Sequence, residues 1–433
     1  VVAPPPSMGE GAELRVIHGS PDAPAVDVYA EGVAQPLFSG LAYGSTTDYL
    51  ALDPGTYNIQ LRAAGADPNS SPAFETGDVT IPDGAKITAL AAGLLGSMSA
   101  DDKFRVLTFA EDFADPGAGN AAVRIVHAGS DAPTVALDVG NDGTPEVTDF
   151  DRFAETGAAG VALPANTKLQ IAIWAGSPLE RVTVFTTPEL PDGAELFVVA
   201  TGLLSKLPRE TDGFSLLAVA PTGSIGFIKQ NPVVFALHGS PDAPAVDIYA
   251  GPALLVENLS FAELSGSVQV PPGSYDLDFK ATGTMVTAAT LMTPDLMAGE
   301  RYLAIASGFL SSGDPDFRLL PFGDGFGEPM ADALVRVVHS SPDAPTVDVG
   351  TVAGGVLTPV PDFSGLSFEE ASSANGTSLP VATLPIGVAA TGTTDPVATF
   401  DVTTVSGLKA FAVAAGSLGT AIYQKGVPSH DTH

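Results

Sequence analysis

Leu14–Ala30 reads LRVIHGSPDAPAVDVYA, and close versions of it return three times: VRIVHAGSDAPTVALDVG at Val123–Gly140, VFALHGSPDAPAVDIYA at Val234–Ala250 and VRVVHSSPDAPTVDVG at Val335–Gly350. Each copy runs an apolar stretch into a histidine, turns through a Pro- and Asp-containing segment, and enters a second apolar stretch. His18, His127, His238 and His339 lie 101 to 111 residues apart, so four of the six histidines are this one position. Repeats of that length predict a string of complete domains rather than a solenoid.

The rest of each unit repeats as well. A turn into a strand recurs as LDPGTYNIQLRAAG, LPANTKLQIAIWAG, VPPGSYDLDFKATG and LPVATLPIGVAATG; a second recurs as IPDGAKITALAAGLL, LPDGAELFVVATGLL, LMAGERYLAIASGFL and VSGLKAFAVAAGSL. A closing strand is predicted at Phe104–Phe109, Phe214–Val219, Phe317–Pro321 and, in the fourth copy, Thr420–Gln424. Within Thr56–Arg62, Tyr57, Ile59 and Leu61 alternate with Asn58, Gln60 and Arg62, the period of a strand with one buried face. Turns every 8–12 residues fit a sandwich. The expected fold is all-β: four tandem antiparallel β-sandwich domains, Ig-like or transthyretin-like, in a semi-rigid rod. The boundaries expected are an extended arm at 1–11, repeats at 12–115, 121–222, 231–326 and 332–426, and a tail at 427–433. Short linkers are expected at Ala114–Ala121, Pro221–Asn231 and Gly323–Ala331.

Composition removes several function classes. Eighteen Lys and Arg against fifty Asp and Glu give a net charge of −32. Such a surface cannot neutralise a row of phosphates, so no nucleic-acid partner is expected, and anionic lipid is disfavoured. With no cysteine, thiolate metal sites, disulfides and a Cys nucleophile are excluded. The best apolar run, Ile87–Met98, is too short for a membrane span. The chain starts Val1-Val2-Ala3 without Met, from which removal of a secretory signal, and an extracellular or cell-surface location, is expected.

The motif reads as structural. Ser20-Pro21-Asp22-Ala23-Pro24 is turn chemistry, with the Asp carboxylate able to accept backbone N–H groups. His18 ends one strand and Asp27 starts the next, so a pair across the turn is expected. The same reading covers His127, Asp131 and Asp138; His238, Asp242 and Asp247; and His339, Asp343 and Asp348. A His18–Ser20–Asp22 triad is disfavoured, because residues two apart on a strand-to-turn segment rarely converge and no nucleophile elbow is present. Four matched histidines also offer a pH switch between pH 5 and 7.

The one metal candidate is a calcium loop in DVGNDGTPEVTD, with Asp138, Asp142 and Asp149 at its first, fifth and twelfth positions. Gly140 at the third position departs from the pattern, and the plain alternative is a hairpin tipped by Asn141-Asp142-Gly143. No other cofactor is expected. Trp174, the sole tryptophan, faces away from Ile171 and Ile173, either covering an outer surface or reaching a neighbour; a sugar-stacking platform would want more exposed aromatics.

The motif His-x-Ser-Pro-Asp-Ala-Pro-x-Val-Asp, followed by the Pro-Gly-[ST]-Tyr turn, resembles the family called domain of unknown function 4397, over about Ala12 to Gly426. The resemblance implies export, tandem copies and a β-sandwich, and no activity. The second copy departs from it with Gly129-Ser130 and two residues inserted before Asp138; the fourth has Val349-Gly350 where Val-Tyr is usual.

The function expected is a non-enzymatic extracellular structural or adhesive protein, self-assembling into a filament by head-to-tail or strand-complementation contacts. The candidate donor strands are Val1–Ser7 (Val1, Val2, Pro4, Pro5, Pro6) and Thr420–Val427 (Ala421, Ile422, Tyr423). The alternative is a stalk-like module that binds polysaccharide, cell wall or a surface partner.

Overall fold

In the computed structural model the first repeat folds as eight strands: β1 (Ala12–His18), β2 (Val26–Ala30), β3 (Phe38–Leu41), β4 (Leu50–Leu52), β5 (Gly55–Ala63), β6 (Phe74–Ile81), β7 (Lys86–Ala92) and β8 (Arg105–Ala110). They form two four-stranded sheets, ordered β4-β1-β7-β8 and β3-β2-β5-β6. The inward side chains of both sheets, Leu14, Val16, Val28, Leu61, Ile87 and Ala89 among them, fill one core. Residues 11–311, 313–327, 331–418 and the backbone of 423–428 are described. They fall into two compact units, Val1–Asn231 and Pro232–His433. Among them the only helical element is a 3-10 turn, Pro361–Phe363.

The second repeat follows the same plan with β9 (Asn120–His127), β10 (Val135–Val139), β11 (Val147–Phe150), β12 (Val161–Pro164), β13 (Gln170–Ala175), β14 (Glu180–Thr186), β15 (Glu195–Thr201) and β16 (Ser215–Ala220). It then adds β17 (Gly223–Ile228), making the five-stranded order β12-β9-β15-β16-β17. This strand occupies most of the stretch expected as the linker Pro221–Asn231. The third and fourth repeats each show two four-stranded sheets of the same order as the first.

The expectation of purely antiparallel sheets needs one correction. β1 and β7 pair in parallel, from Glu13 opposite Lys86 to His18 opposite Ala91. β9 and β15 do the same, as do Val233–His238 with Arg301–Ser307 and Ala333–Ser340 with Lys409–Ala415. A parallel pair needs a long crossover, which the strands between the two supply by passing through the other sheet. The C-terminal ends of β1 and β7 therefore emerge side by side.

A second difference concerns how repeats join. β1 and β9 are buried on both faces. Leu14 and Val16 face their own core, whereas Ile17 faces the neighbouring repeat. Ile17, Leu90 and Phe109 of the first repeat pack with Val126, Phe197, Val199 and Leu217 of the second, completely out of water. Phe113, just ahead of the expected linker, stacks edge-on against Phe197. Polar contacts across this face come in matched halves. Arg15, only 1% exposed, donates Nη1–H to the Ala220 carbonyl at 2.7 Å, and its counterpart Arg124 donates to the Ala110 carbonyl. Each guanidinium is paired, Arg15 with Glu111 and Arg124 with Glu155, and both lie over the Phe197 ring.

The third and fourth repeats pair similarly within their own unit, through Leu237, Ile305, Leu320, Val338 and Phe411. Phe326, from the expected linker Gly323–Ala331, is buried there. Arg336 donates to the Gly323 carbonyl at 2.6 Å, but the third repeat carries Phe235 at this position, so only one of the two arginine contacts remains.

Removing Arg15 would leave Glu111 buried with its main cation gone, a change that typically costs about 3 kcal/mol or more. Arg15→Met is expected to lower the stability of the first unit by about that amount. The readout is urea unfolding followed by Trp174 fluorescence, since the only tryptophan lies in that unit; an unchanged midpoint would contradict the assignment.

Candidate functional site

Because β1 and β7 end together, the turn after β1 carrying the repeated motif lies against the turn after β7, Gly93-Leu94-Leu95-Gly96. Asp22 closes the gap. Its Oδ1 accepts the Leu95 N–H and its Oδ2 the Gly96 N–H, both at 2.8 Å. Asp131 does the same for Leu204 and Ser205, and Asp242 for Leu310 and Ser311. Asp343 accepts the Leu418 N–H and the Ser417 hydroxyl. Ser20 Oγ–H donates to the Gly93 carbonyl at 2.6 Å. Gly93 itself has φ +81, and a Cβ there would meet the Lys103 carbonyl oxygen at 2.4 Å, so only glycine suits the position. The two segments that recur most plainly in the sequence are thus the two halves of one clasp.

The expected His18–Asp27 pair does not form. His18 Nε2 lies 3.1 Å from the Pro24 carbonyl, and His127, His238 and His339 stand 3.0 Å from Pro133, Pro244 and Pro345. A carbonyl only accepts, so each ring carries its proton on Nε2 and staples the far end of its own turn. The bare Nδ1 of His127 and His339 accepts the amide of Gly129 and Ser341. All four rings are at most 1% exposed. Burial pulls their pKa values below the ordinary histidine value, outweighing the proline carbonyls, which act in the opposite direction.

Asp27 is otherwise engaged. Its Oδ1 accepts the Gly40 N–H at 2.7 Å and its Oδ2 the Gly65 N–H at 2.8 Å. Gly40 is the bulge residue of β3, at φ +65. Asp247 and Asp348 hold Asn258 and Gly365 in the same way, again at positive φ. In Asp247 the Asn258 amide is the largest cause holding the carboxyl below its usual range. In Asp348 burial pushes the pKa upward, but the Gly392 and Gly365 amides and the Thr391 hydroxyl together bring it below the usual range.

The second repeat reassigns these parts, which bears directly on the calcium candidate. Val135 occupies the strand position of Val26, each opposite the last residue of the next strand, Ala175 or Ala63. Ala136 therefore stands in the place of Asp27, and Asp138 lies two residues on. Asp149 is the bulge residue of β11, at φ +52, a conformation that Asp tolerates better than most residues. Asp138 is fully buried and accepts the Asp142 and Gly143 amides, closing the hairpin tip. It also accepts the Trp174 indole N–H at 3.2 Å, which settles where that side chain reaches. Asp142 caps Thr144. The structure does not gather the three carboxylates; among the described residues no group of three or more His, Asp or Glu is placed to hold a metal.

The assembly candidates Val1, Val2, Pro4, Pro5, Pro6, Ala421 and Ile422 lie outside the described residues. Tyr423 begins Tyr423–Pro428, which closes its own sheet against Lys409–Ala415, slightly beyond the Thr420–Gln424 expected. Among the described residues no helix is long and apolar enough to cross a membrane.

The fold and the motif together define a tandem β-sandwich protein whose recurrent polar residues hold turns to sheets. The model of the Domain of unknown function (DUF4397) matches residues 12–138 and 233–350, more than half of the chain, and the chain belongs to that family. No curated protein matches it. Among solved structures, the Bacillus anthracis TIE protein is similar at 10% identity, covering 95% of this chain and 68% of that one, with a TM-score of 0.16.

The buried histidines make stability fall with acid. Above about pH 6.5 each is neutral whether folded or not and contributes nothing. Below it the unfolded chain takes up a proton that the folded ring refuses, so stability drops by up to about 1.4 kcal/mol per pH unit per histidine, until the folded pKa is reached. The lowered Asp247 and Asp348 act in the same direction, but only below about pH 4. Urea midpoints from Trp174 fluorescence should be flat from pH 8 to 7 and decline from pH 6.5 to 5, and the first-unit double variant His18→Gln/His127→Gln should flatten that decline. Separately, Asp131→Ala removes two hydrogen bonds from amides of the exposed residues Leu204 and Ser205 and should cost about 1 kcal/mol by the same readout.

Proposed function

We propose that the protein is a non-enzymatic extracellular structural protein that assembles with further copies of itself by strand addition at an open sheet edge. The observation that carries this reading is the strand Thr287–Met292 in the third repeat. It sits at the end of its sheet, paired on one side with Asp276–Ala281, and its sequence TAATLM carries no charge. The corresponding edges elsewhere are guarded. β6 carries Glu75 and Asp78, β14 carries Glu180 and Arg181, and Ala398–Thr403 carries Asp401. Charges on an edge are the usual protection against pairing with another chain.

The unguarded edge is flanked by Met285, Val286, Met292 and Met297, exposed by 73, 71, 72 and 56%. Methionine-rich surfaces of this kind adapt to a partner's side chains. The proposed donor is the N-terminal segment of a second copy, whose Val1-Val2-Ala3 can enter a ladder while Pro4-Pro5-Pro6 cannot. A head-to-tail contact whose rotation does not close into a ring propagates as a fibre, and a fibre is the assembly proposed. The polar residues of the repeated motif serve backbone groups, which suits a scaffold.

The test is electron microscopy of the purified chain beside two variants, deletion of residues 1–11 and the double substitution Ala288→Lys/Met292→Lys. Fibres from the parent chain, lost in both variants while circular dichroism is unchanged, are expected. Monomers at high concentration, or fibres unaffected by either change, would overturn the proposal; monomers that bind polysaccharide would favour a stalk-like binding module instead.

A further inference from the structure

The sandwich cores of the four repeats are not equally filled. Between the sheets of the second repeat lies a cavity of about 220 Å³, against about 30, 50 and 50 Å³ at the corresponding place in the first, third and fourth. Its walls are hydrocarbon, including Val123, Ile125, Leu137, Ile173, Leu216 and Ala218. Of the polar residues at its edge, His127 Nε2–H binds the Pro133 carbonyl and Thr187 Oγ1 accepts the Leu169 amide at 3.0 Å, while Glu189 is exposed at the rim.

Two sequence differences coincide with the space. The third repeat lines this region with Tyr275 and the first packs Tyr57 against its core, each hydroxyl anchored on a backbone carbonyl, of Pro271 and Asp53. The second repeat has Leu169 in the matching strand position, and the fourth has Leu384 with the Phe363 and Phe400 rings in its lining. The second repeat alone adds β17 to one sheet of the described residues, and Ile225 and Ile228 of that strand border the cavity. A five-stranded sheet facing a four-stranded one leaves its last strand without a strand opposite.

We propose that this cavity is a binding site for a small, uncharged, apolar molecule with a hydrocarbon body of about benzene size or somewhat larger. Water gains nothing there, since it needs two or more polar partners, and an apolar cavity of about 150 Å³ stays dry yet takes up benzene. A ligand would restore dispersion contacts that the wall atoms lack. The Thr187–Pro191 segment, with Pro188 and Glu189 exposed, forms the rim and is the route of entry. The site is independent of the assembly edge, which belongs to the third repeat.

The experiment is titration of the full chain with benzene and with cyclohexane, followed by methyl NMR of Ile, Leu and Val. Saturable shifts are expected at Ile125, Ile173 and Leu216, with none at Ile59 and Leu61 in the first repeat or Leu277 in the third. Ala218→Leu, which places a larger side chain into the space, should weaken binding by about tenfold or more while the other methyl signals keep their positions. Val198→Phe, entering from the adjacent strand, serves as a second filling variant if Ala218→Leu fails to fold. Absence of saturable shifts, equal shifts in all repeats, or undiminished binding by a folded filling variant would overturn the proposal.

Discussion

One carboxylate, accepting two amides in the first three repeats and an amide and a hydroxyl in the fourth, holds each repeat together. Asp22 and its three counterparts sit where a parallel strand pair ends, and they tie the turn leaving the first strand to the turn leaving the seventh. That pair brings together residues 68 to 75 positions apart, so the chain closes a long loop before the contact forms. The carboxylate stabilises what would otherwise be two loose turns at the end of a sheet. The histidine staple and the bulge-holding Asp27 then fix the remaining backbone of the same corner. Acid-sensitive stability follows from that arrangement, because burial of the ring disfavours its charged form by more than the proline carbonyl favours it.

The same sheet has a second role that depends on its other face. With Leu14 and Val16 turned inward and Arg15 and Ile17 turned outward, β1 contributes to two cores at once. The outer face of β9 answers it with Arg124 and Val126, and the arginines reach reciprocally into the partner repeat's terminal carbonyls. Buried arginine is tolerated because Glu111 and Glu155 balance it and aromatic rings cover it. Phe235 in the third repeat replaces one such contact by plain apolar packing, so the two units reach the same kind of pairing by different chemistry.

Strand positions and turns were legible because a period of two and Gly- or Pro-containing turns report local geometry. The pairing of repeats was not. Its signal was present in VRIVH and ITALAAGLL, which are apolar at alternating positions of both faces and broken only by Arg124, Thr88 and the closing His127, a pattern that a strand with one wet face would not need. The parallel pair left no local mark, since parallel and antiparallel strands share the same alternation. At the site, Asp22 was expected to accept amides of its own turn, whereas the amides it accepts, Leu95 and Gly96, lie in a distant segment. The His18–Asp27 pair failed because strand neighbours that look close in sequence point to different carbonyls and amides. The calcium reading of Asp138 and Asp149 failed for a related reason: a bulge residue and a hairpin clamp happen to have the spacing of a loop of ligands. The features proposed to be functional, the uncharged edge and the open cavity, sit where one repeat departs from the other three, a comparison that repeat-finding by similarity passes over.

The central claim is that the motif carboxylates clasp the neighbouring turns. Amide hydrogen exchange at neutral pH tests it most directly, at Leu95, Gly96, Leu204, Ser205, Leu310 and Ser311. Leu95, Leu204 and Ser311 are among the exposed residues of these turns, so solvent access alone predicts rapid exchange. The clasp predicts protection comparable to the adjoining strand ends, lost in the Asp→Ala variant of the same repeat and retained in the others. Exchange at the rate of a free loop in the parent chain would contradict the account.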